Sequence, residues 1–387
     1  MTTAASIMTI PPDNVTNDSY TDSSSSAKTR LFELMDSTES YIVPILFSIV
    51  FVVGVVGNGT LIFIVLRNKS MRNVPNIFVV CLSVGDLMLL VTSAPFSATV
   101  FTFTSWPYGE FMCKFNEFMQ TVSVGVSVFT LTALSLDRYI AIVHPMSKHM
   151  GKPTLLTIVT VTIIWVMAVV FAIPDCYTSR LENRTVIDNN TYITVCVLYP
   201  EDFPVWYMKG HPMLRFVIFF LVPMVVIGLF YALMAKILIL SSKKMPCEST
   251  KGSAMNQQQQ RQIEARLKVA KVVLSFVVIF VICWLPRHIY LLWHYWSPSE
   301  YNMFWHVFKI MGFCLTYMYS CVNPYALYFL SSQFRKYYNR SLFCCCPKAR
   351  YNSLNEPTSV MYNFNSTMRR GSTSLTGTGP LHTQSMC

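Results

Sequence analysis

Asp86 is the side chain that most needs a chemical reason. It stands inside the run Leu82-Ser83-Val84-Gly85-Asp86-Leu87, and a carboxylate at the centre of a bilayer costs roughly 3 kcal/mol or more unless it finds polar partners. Asn58, Ser127, Ser320 and Asn323 occur at comparable depths in other apolar runs. Two readings fit that set: a hydrogen-bonded knot that ties helices together, or a switch that responds to a cation.

Asp137-Arg138-Tyr139 closes another apolar run. Adjacent opposite charges there act either as a snorkelling anchor or as a device in which the acid holds Arg138 in one rotamer until another partner takes it. Pro223, Pro286 and Pro324 lie deep in three further runs, where each removes a backbone donor and kinks its helix. Pro286 follows Cys283-Trp284-Leu285, so a bulky indole sits beside a hinge.

Farther on, Phe334-Arg335-Lys336-Tyr337-Tyr338-Asn339-Arg340-Ser341-Leu342-Phe343 interleaves bases with aromatics, which suits a short helix on a membrane surface. Cys344-Cys345-Cys346 follows, where palmitoylation adds a second anchor. An unmodified triplet or a metal site is the rival, and no His flanks the triplet to favour metal.

These groups require helices in lipid to position them. With 53% hydrophobic and 13% charged residues and a mean hydropathy of +0.42, the chain is too apolar for a soluble core of its length. A formal charge of +11 would suit nucleic acid in a soluble protein, but 7 Trp, 20 Tyr and 27 Phe point to interfacial belts and lipid-facing helices. No nucleic-acid partner is expected. Seven stretches reach the roughly 20 residues needed to cross a bilayer, over about 41–66, 75–101, 111–143, 154–175, 213–240, 268–296 and 304–330. The fold class expected is an all-α membrane protein, a seven-helix bundle over residues 41–330, because a bundle leaves no open sheet edge in lipid.

Orientation follows from Lys and Arg in the connections. Sixteen bases fall on one side, among them Arg67, Lys69, Arg72, Lys148 and Lys152, against five on the other, Lys28, Arg30, Arg180, Arg184 and Lys209. The N-terminus is therefore expected outside and the C-terminus in the cytoplasm. Without an apolar run in residues 1–40, the first span would act as its own targeting signal. Thirteen acids share the outer side, Asp175 counted with them, so its net charge is about −8, which would steer cations inward. Of the cysteines, Cys113, Cys176 and Cys196 fall outside, giving one pair and one leftover.

Residues 1–40 are polar and Ser-rich and read as a flexible outer arm, and residues 241–262, with Gln257 to Gln260, read likewise. A membrane-surface helix and Cys-rich anchor is expected over 331–346, and a disordered tail over 347–387. In that tail Ser366, Thr367, Ser372, Thr373, Ser374 and Thr376 flank Arg369-Arg370, so phosphorylation could recruit a cationic adaptor such as arrestin. Asn14, Asn17, Asn183 and Asn189 are the Asn-x-Ser/Thr sites on the lumenal side.

Taken together and in order, these motifs resemble the rhodopsin-like, class A, G-protein-coupled receptors over roughly residues 40–346. The resemblance is carried by Gly57-Asn58, Asp86, Cys113, Asp137-Arg138-Tyr139, Trp165, Pro223 with Tyr231, Phe280 with Cys283-Trp284-Leu285-Pro286, and Asn323-Pro324. Within the class, Met71-Arg72-Asn73-Val74-Pro75-Asn76 and the run from Ser123 to Ser135 are similar to bombesin and gastrin-releasing-peptide receptors. Trp106-Pro107-Tyr108-Gly109 and Tyr301-Asn302-Met303-Phe304-Trp305-His306-Val307 look still more like the arthropod CCHamide receptors.

The resemblance implies a plasma-membrane receptor for a basic, C-terminally amidated neuropeptide. It implies heterotrimeric G proteins as partners, through the Gq and calcium pathway, with a different bombesin-like or endothelin-like peptide as the alternative ligand. It implies a Cys113–Cys196 disulfide, and Cys196 lies in an alternating Tyr192-Ile193-Thr194-Val195 run suited to a hairpin. Trp284 would be the rotamer switch and Arg138 the contact for the G-protein tail, within a switch set of Asp86, Asp137, Arg138, Tyr139, Tyr231, Phe280, Trp284, Pro286, Asn323 and Pro324. A sodium ion near Asp86, Ser127 and Asn323 would be an allosteric modulator, and no other cofactor is expected. Candidate ligand residues by helical position are Glu117, Gln120, Pro204, Arg287, His288, His294 and Lys309. Gln120 stands where amine-binding members have an Asp, which argues against a small amine.

Three positions depart from the class pattern. Leu327 replaces a Tyr, with Tyr328 one place later; Tyr319 replaces an Asn near Asp86; and Arg266 and Lys268 stand where some members offer Arg138 an acid. A channel or transporter would need acidic rings, broken helix pairs or inverted repeats. An intramembrane hydrolase would need a second mid-membrane Asp or a His-Glu-x-x-His motif. The sequence has none of these, and no enzymatic activity is expected.

Overall fold

A computed structural model describes residues 22–103, 105–143, 153–186, 191–200, 202–243, 254–297 and 302–342. The helices are α1 (Asp22–Arg67), α2 (Val74–Thr92), α3 (Ala94–Thr99), α4 (Gly109–Val143) and α5 (Pro153–Thr178). A hairpin of β1 (Arg180–Val186) and β2 (Thr191–Val197) precedes α6 (Val205–Phe216) and α7 (Val222–Lys243), then α8 (Ala254–Trp296), α9 (Met303–Leu330) and α10 (Ser332–Leu342). Residues up to Tyr338 pack as one unit.

Among the described residues, six helices are long and apolar enough to cross a membrane. The seventh, α9, has 28 residues and a length of about 42 Å, but its tyrosines, Asn323 and Pro324 dilute its hydropathy. The reason is where they point: Tyr317, Tyr319, Ser320 and Asn323 are each at most 2% exposed. A span that lines the interior of a bundle carries polar groups that a lipid-facing span cannot.

Several boundaries differ from those the sequence suggests. α1 begins at Asp22, so part of the arm expected to be flexible over residues 1–40 is helical backbone continuous with the first span. Likewise α8 begins at Ala254 and takes in Gln257 to Gln260; Ala, Gln, Arg and Glu are good helix formers, and a polar helix projecting beyond lipid needs no apolar run. The second span, expected over 75–101, breaks at Ser93 because Pro95 sits in the first turn of α3 and lacks an N–H. The fifth begins at Val205 rather than 213, and a wide turn over Val217–Leu221 joins α6 to α7 just before Pro223.

Local chemistry sets the helix starts. Asn73 caps α2 by accepting from the Asn76 N–H at 3.1 Å, and Asn302 caps α9 by accepting from Trp305 N–H at 3.2 Å. Gly109 opens α4 at φ 74°, a left-handed conformation that favours glycine. α4 then runs through the centre, packed against α2, α5, α7 and α8. A Cβ on Gly125 would lie 3.0 Å from that of Ala168, so small residues bring α4 and α5 together, as interfaces in lipid require.

Candidate functional site

At one end of the bundle the hairpin forms a lid. β2 pairs antiparallel with β1, Leu181 opposite Cys196, and Cys196 is disulfide-bonded to Cys113 at the start of α4. That is the pairing the resemblance implies, and Cys176, the leftover, is a free half-buried thiol. Trp106 donates its backbone N–H to Thr194 O at 2.7 Å, so the turn before α4 also docks on β2. From the end of β2 onward, Val195 to Tyr199 are buried.

Under the lid lies a set of charges, one acid buried and two bases half-buried. Glu117 is 2% exposed, and it lies within electrostatic range of Arg287 and of Arg215, a residue the sequence reading left out. His288 is buried beside both arginines, in ring contact with Phe216 and Phe220. Gln120 is buried on the same helix as Glu117.

Arg215 belongs to a network that spans three helices and the segment after β2. Its Nη1 donates to Asp175 Oδ2 at 2.6 Å, and Thr121 Oγ1 donates to the same oxygen. His211 Nε2 lies 3.5 Å from Asp175 Oδ1, and its Nδ1 is 2.9 Å from the Tyr199 hydroxyl. Burial pushes the Tyr199 phenol well above its ordinary range, so it stays protonated in its hydrogen bond with His211. Asp175 is therefore not an outer-surface acid: it is 0% exposed and neutralised. Lys114, which pairs with Glu110 at 2.7 Å, also belongs to this end, and the outer surplus falls to about −6. A charge inside the fifth apolar run, Arg215, was the available signal for the missing partner.

The other candidates lie nearer the mouth. His294 stacks on Tyr290 at 5.7 Å and lies within electrostatic range of Lys309. The helix ends there are fastened by Trp293 stacked on Trp305 at 3.8 Å and by Trp296 Nε1 donating to Lys209 O at 3.1 Å. Pro204 does not join the inner set. It is exposed on the rim and lines a cleft of about 450 Å³ with Glu110, Lys114, Tyr177, Arg180 and Asp202, because it precedes the first turn of α6 instead of facing the bundle.

Deeper in, Trp284 packs on Phe280 at 5.8 Å and edge-on to Tyr319 at 6.4 Å. A Cβ on Gly312 would lie 3.0 Å from Arg287 N, so α9 passes close to the backbone just after Pro286. Below this stack Asn323 Nδ2 donates to Asp86 Oδ2 at 2.8 Å, while Asn58 Nδ2 donates to Ser320 O at 2.8 Å. Asp86 Oδ1, Asn58 Oδ1, Asn323 Oδ1, Ser320 Oγ and Tyr319 Oη are buried with no partner at full hydrogen-bond geometry among the described residues. Such a donor set, all oxygen with one carboxylate, fits a hard cation or ordered water. Tyr319 directs its hydroxyl toward Ser127 and Asn323, so its departure from the class pattern adds an oxygen to the knot.

At the opposite end Arg138 is paired with Asp137 of its own helix, and Tyr139 stacks on Phe230 at 5.3 Å. Tyr231 donates its hydroxyl to Ala270 O at 2.8 Å, joining α7 to α8. Tyr328 packs against Tyr338 of α10 at 5.8 Å. Asn183 is exposed on β1 and accepts from Thr194 Oγ1 at 2.9 Å. Asn14, Asn17, Asn189, Cys344, Cys345, Cys346 and the tail after residue 342 lie outside the described residues.

Comparison with known proteins matches residues 57–328 to the family described as 7 transmembrane receptor (rhodopsin family). The chain is 46% identical to the neuropeptide CCHamide-1 receptor of Drosophila melanogaster over 314 residues, 79% of this chain and 61% of that receptor. The matching part thus spans about three fifths of the fly protein. It is 36% identical to bombesin receptor subtype-3 of Ovis aries over 304 residues, 78% of this chain and 74% of that receptor.

Proposed function

We propose, because this chain belongs to the rhodopsin family of seven-transmembrane receptors, that it is a plasma-membrane receptor for an extracellular neuropeptide and signals through heterotrimeric G proteins. The matched relatives are receptors, not enzymes. The observation that carries the ligand class is the charge set of Glu117, Arg215 and Arg287, the acid buried and the two bases half-buried, beneath a disulfide-fastened lid. With Arg215 neutralised by Asp175, Arg287 is the base that offers donors to ligand carbonyls, and Glu117 limits the repulsion it would exert on a cationic peptide. A basic peptide drawn by an acidic outer face and entering by an amidated C-terminus suits that arrangement. The fly relative's name carries a CCHamide ligand, and this chain's ligand is proposed to be of that type.

Signal transfer would use the groups already in contact. Ligand seated on Arg287 and His288 presses on Trp284 in the same helix, and the Pro286 hinge lets the inner end of α8 swing. That swing breaks the Tyr231 bond to Ala270 and frees Arg138 for the G-protein tail. Sodium held by Asp86 and its neighbours would favour the closed arrangement. The N-terminus is proposed outside, with glycans on Asn14, Asn17, Asn183 and Asn189. The cytoplasmic tail is proposed to take palmitate on Cys344, Cys345 and Cys346 and to recruit arrestin through its phosphorylated serines and threonines.

Calcium release in cells expressing the chain, challenged with a panel of amidated neuropeptides, tests the reading. Potent response to a basic amidated peptide is expected, and Arg287→Gln should weaken potency by roughly 1.5 to 3 kcal/mol, one charge-assisted hydrogen bond, with surface expression intact. Unchanged potency in Arg287→Gln sinks this account of recognition.

A further inference from the structure

The bond that joins the turn after α1 to α10 has no part in the signalling path described above. Ser70 Oγ and Tyr337 Oη lie 2.8 Å apart, 267 positions distant in sequence. α10 is seated beneath that contact by Phe334 and Tyr338, which are 4% and 7% exposed and pack with the fully buried Met71. Tyr338 Oη donates to Gly57 O at 3.4 Å. With Phe334 and Tyr338 turned inward on one face, the neighbouring Arg335 and Lys336 are left at the surface.

Four bases lie within two residues of the two hydroxyls: Lys69 and Arg72 beside Ser70, Arg335 and Lys336 beside Tyr337. Arg67, in the last turn of α1, is a fifth. Lys69, Arg72 and Arg335 are exposed and Lys336 is half-buried. Neither 67–73 nor 332–342 contains an acid, and none of the five has a carboxylate partner among the described residues. Arg72 donates to the Leu66 carbonyl and Arg67 lies over the Phe63 ring, but no carboxylate among the described residues offsets the repulsion among these bases, so the patch is complementary to a compact polyanion. Both stretches emerge at the ends of membrane-crossing helices, at the depth of lipid headgroups.

We infer that the Ser70–Tyr337 junction is a binding site for the headgroup of a polyphosphorylated inositol lipid, with Lys69, Arg72, Arg335 and Lys336 pairing its phosphomonoesters and the hydroxyl whose proton the Ser70–Tyr337 bond leaves free donating to one of them. A phosphomonoester carries about −1.5 to −2 charges near neutral pH, so a bisphosphorylated ring matches four bases where a phosphatidylserine, with one net charge, does not. Occupancy would clamp α10 to the first turn and hold the inner end of α1 and α9 together. This rests on the proposed orientation only in naming the leaflet, since the site itself is read from either side in micelles.

The test uses the full-length receptor in detergent micelles and a fluorescent short-chain phosphatidylinositol 4,5-bisphosphate. Saturable binding is expected, weakened about fivefold for each of Lys69→Gln and Lys336→Gln and retained in Lys69→Arg. Ser70→Ala with Tyr337→Phe, which keeps every charge, should weaken it by a smaller factor. Phosphatidylserine micelles of equal total charge should compete poorly. Equal competition by phosphatidylserine would show only diffuse attraction, and competition by free inositol trisphosphate as effective as by the lipid would place the natural ligand in solution; either result overturns the assignment. So does unchanged affinity in both single Gln variants with normal thermal unfolding. A glycan found on Asn68 would instead overturn the orientation while leaving the micelle result standing.

Discussion

Arg215 of α6 and Asp175 of α5 form a 2.6 Å ion pair beneath the lid, the carboxylate wholly out of solvent and also held by Thr121 of α4. An acid counted with the surface charges and a base the sequence reading left out thus fasten three helices beneath the lid.

Removing one partner strands the other in a medium that cannot solvate it, at about 3 to 5 kcal/mol. Asp175→Asn and Arg215→Gln should therefore each lower the unfolding temperature of the purified receptor markedly. The double variant should lose less than the sum of the two. Strictly additive losses would show that the side chains act independently.

The disulfide closes a sequence separation of 83 residues, and removing such a crosslink costs about 4 kcal/mol in the chain-entropy account. Cys113→Ser and Cys196→Ser should reduce surface expression and agonist response, while Cys176→Ser should do neither. Normal signalling by Cys196→Ser alongside failure of Cys176→Ser would reverse the roles.

The cation proposed at the oxygens around Asp86 would act against agonist binding. Agonist affinity measured by competition binding should be lower in sodium chloride than in choline chloride. Asp86→Asn removes the site's formal charge and should abolish the difference. A sodium effect of equal size in Asp86→Asn would falsify the cation reading and leave the hydrogen-bond knot.

Glycan mapping checks the orientation. Enzymatic deglycosylation should shift the mobility of the receptor, and Asn183→Gln should remove part of that shift. A glycan at Asn68 would invert the topology; its Nδ2 already donates to Ile64 O at 2.7 Å at the end of α1.

Hydrophobic length alone located the helices, since a span's twenty apolar residues are contiguous in the chain and lipid enforces backbone pairing within each helix. The positions of Asp86, Arg138, Trp284 and Asn323 were legible for a related reason: a polar or bulky residue inside such a run has few permissible explanations. Ends were less legible, because α1 before Thr38 and α8 before Leu267 are polar helices whose stability is not recorded in hydropathy.

Partnership across helices belonged to the tertiary structure. A charge at the edge of an apolar run looks the same whether it meets solvent or a guanidinium 40 residues away, so Asp175 reads as a surface acid until packing sets Arg215 against it. Pro204 reads as a pocket residue until the first turn of α6 leaves it on the rim. Ser70 and Tyr337 carry no mutual signal at all, and only the seating of Phe334 and Tyr338 beside Met71 brings their hydroxyls within 2.8 Å. Spacing along one helix fixes which residues share a face, whereas the angle and depth at which two faces meet are decided by the packing of every side chain between them.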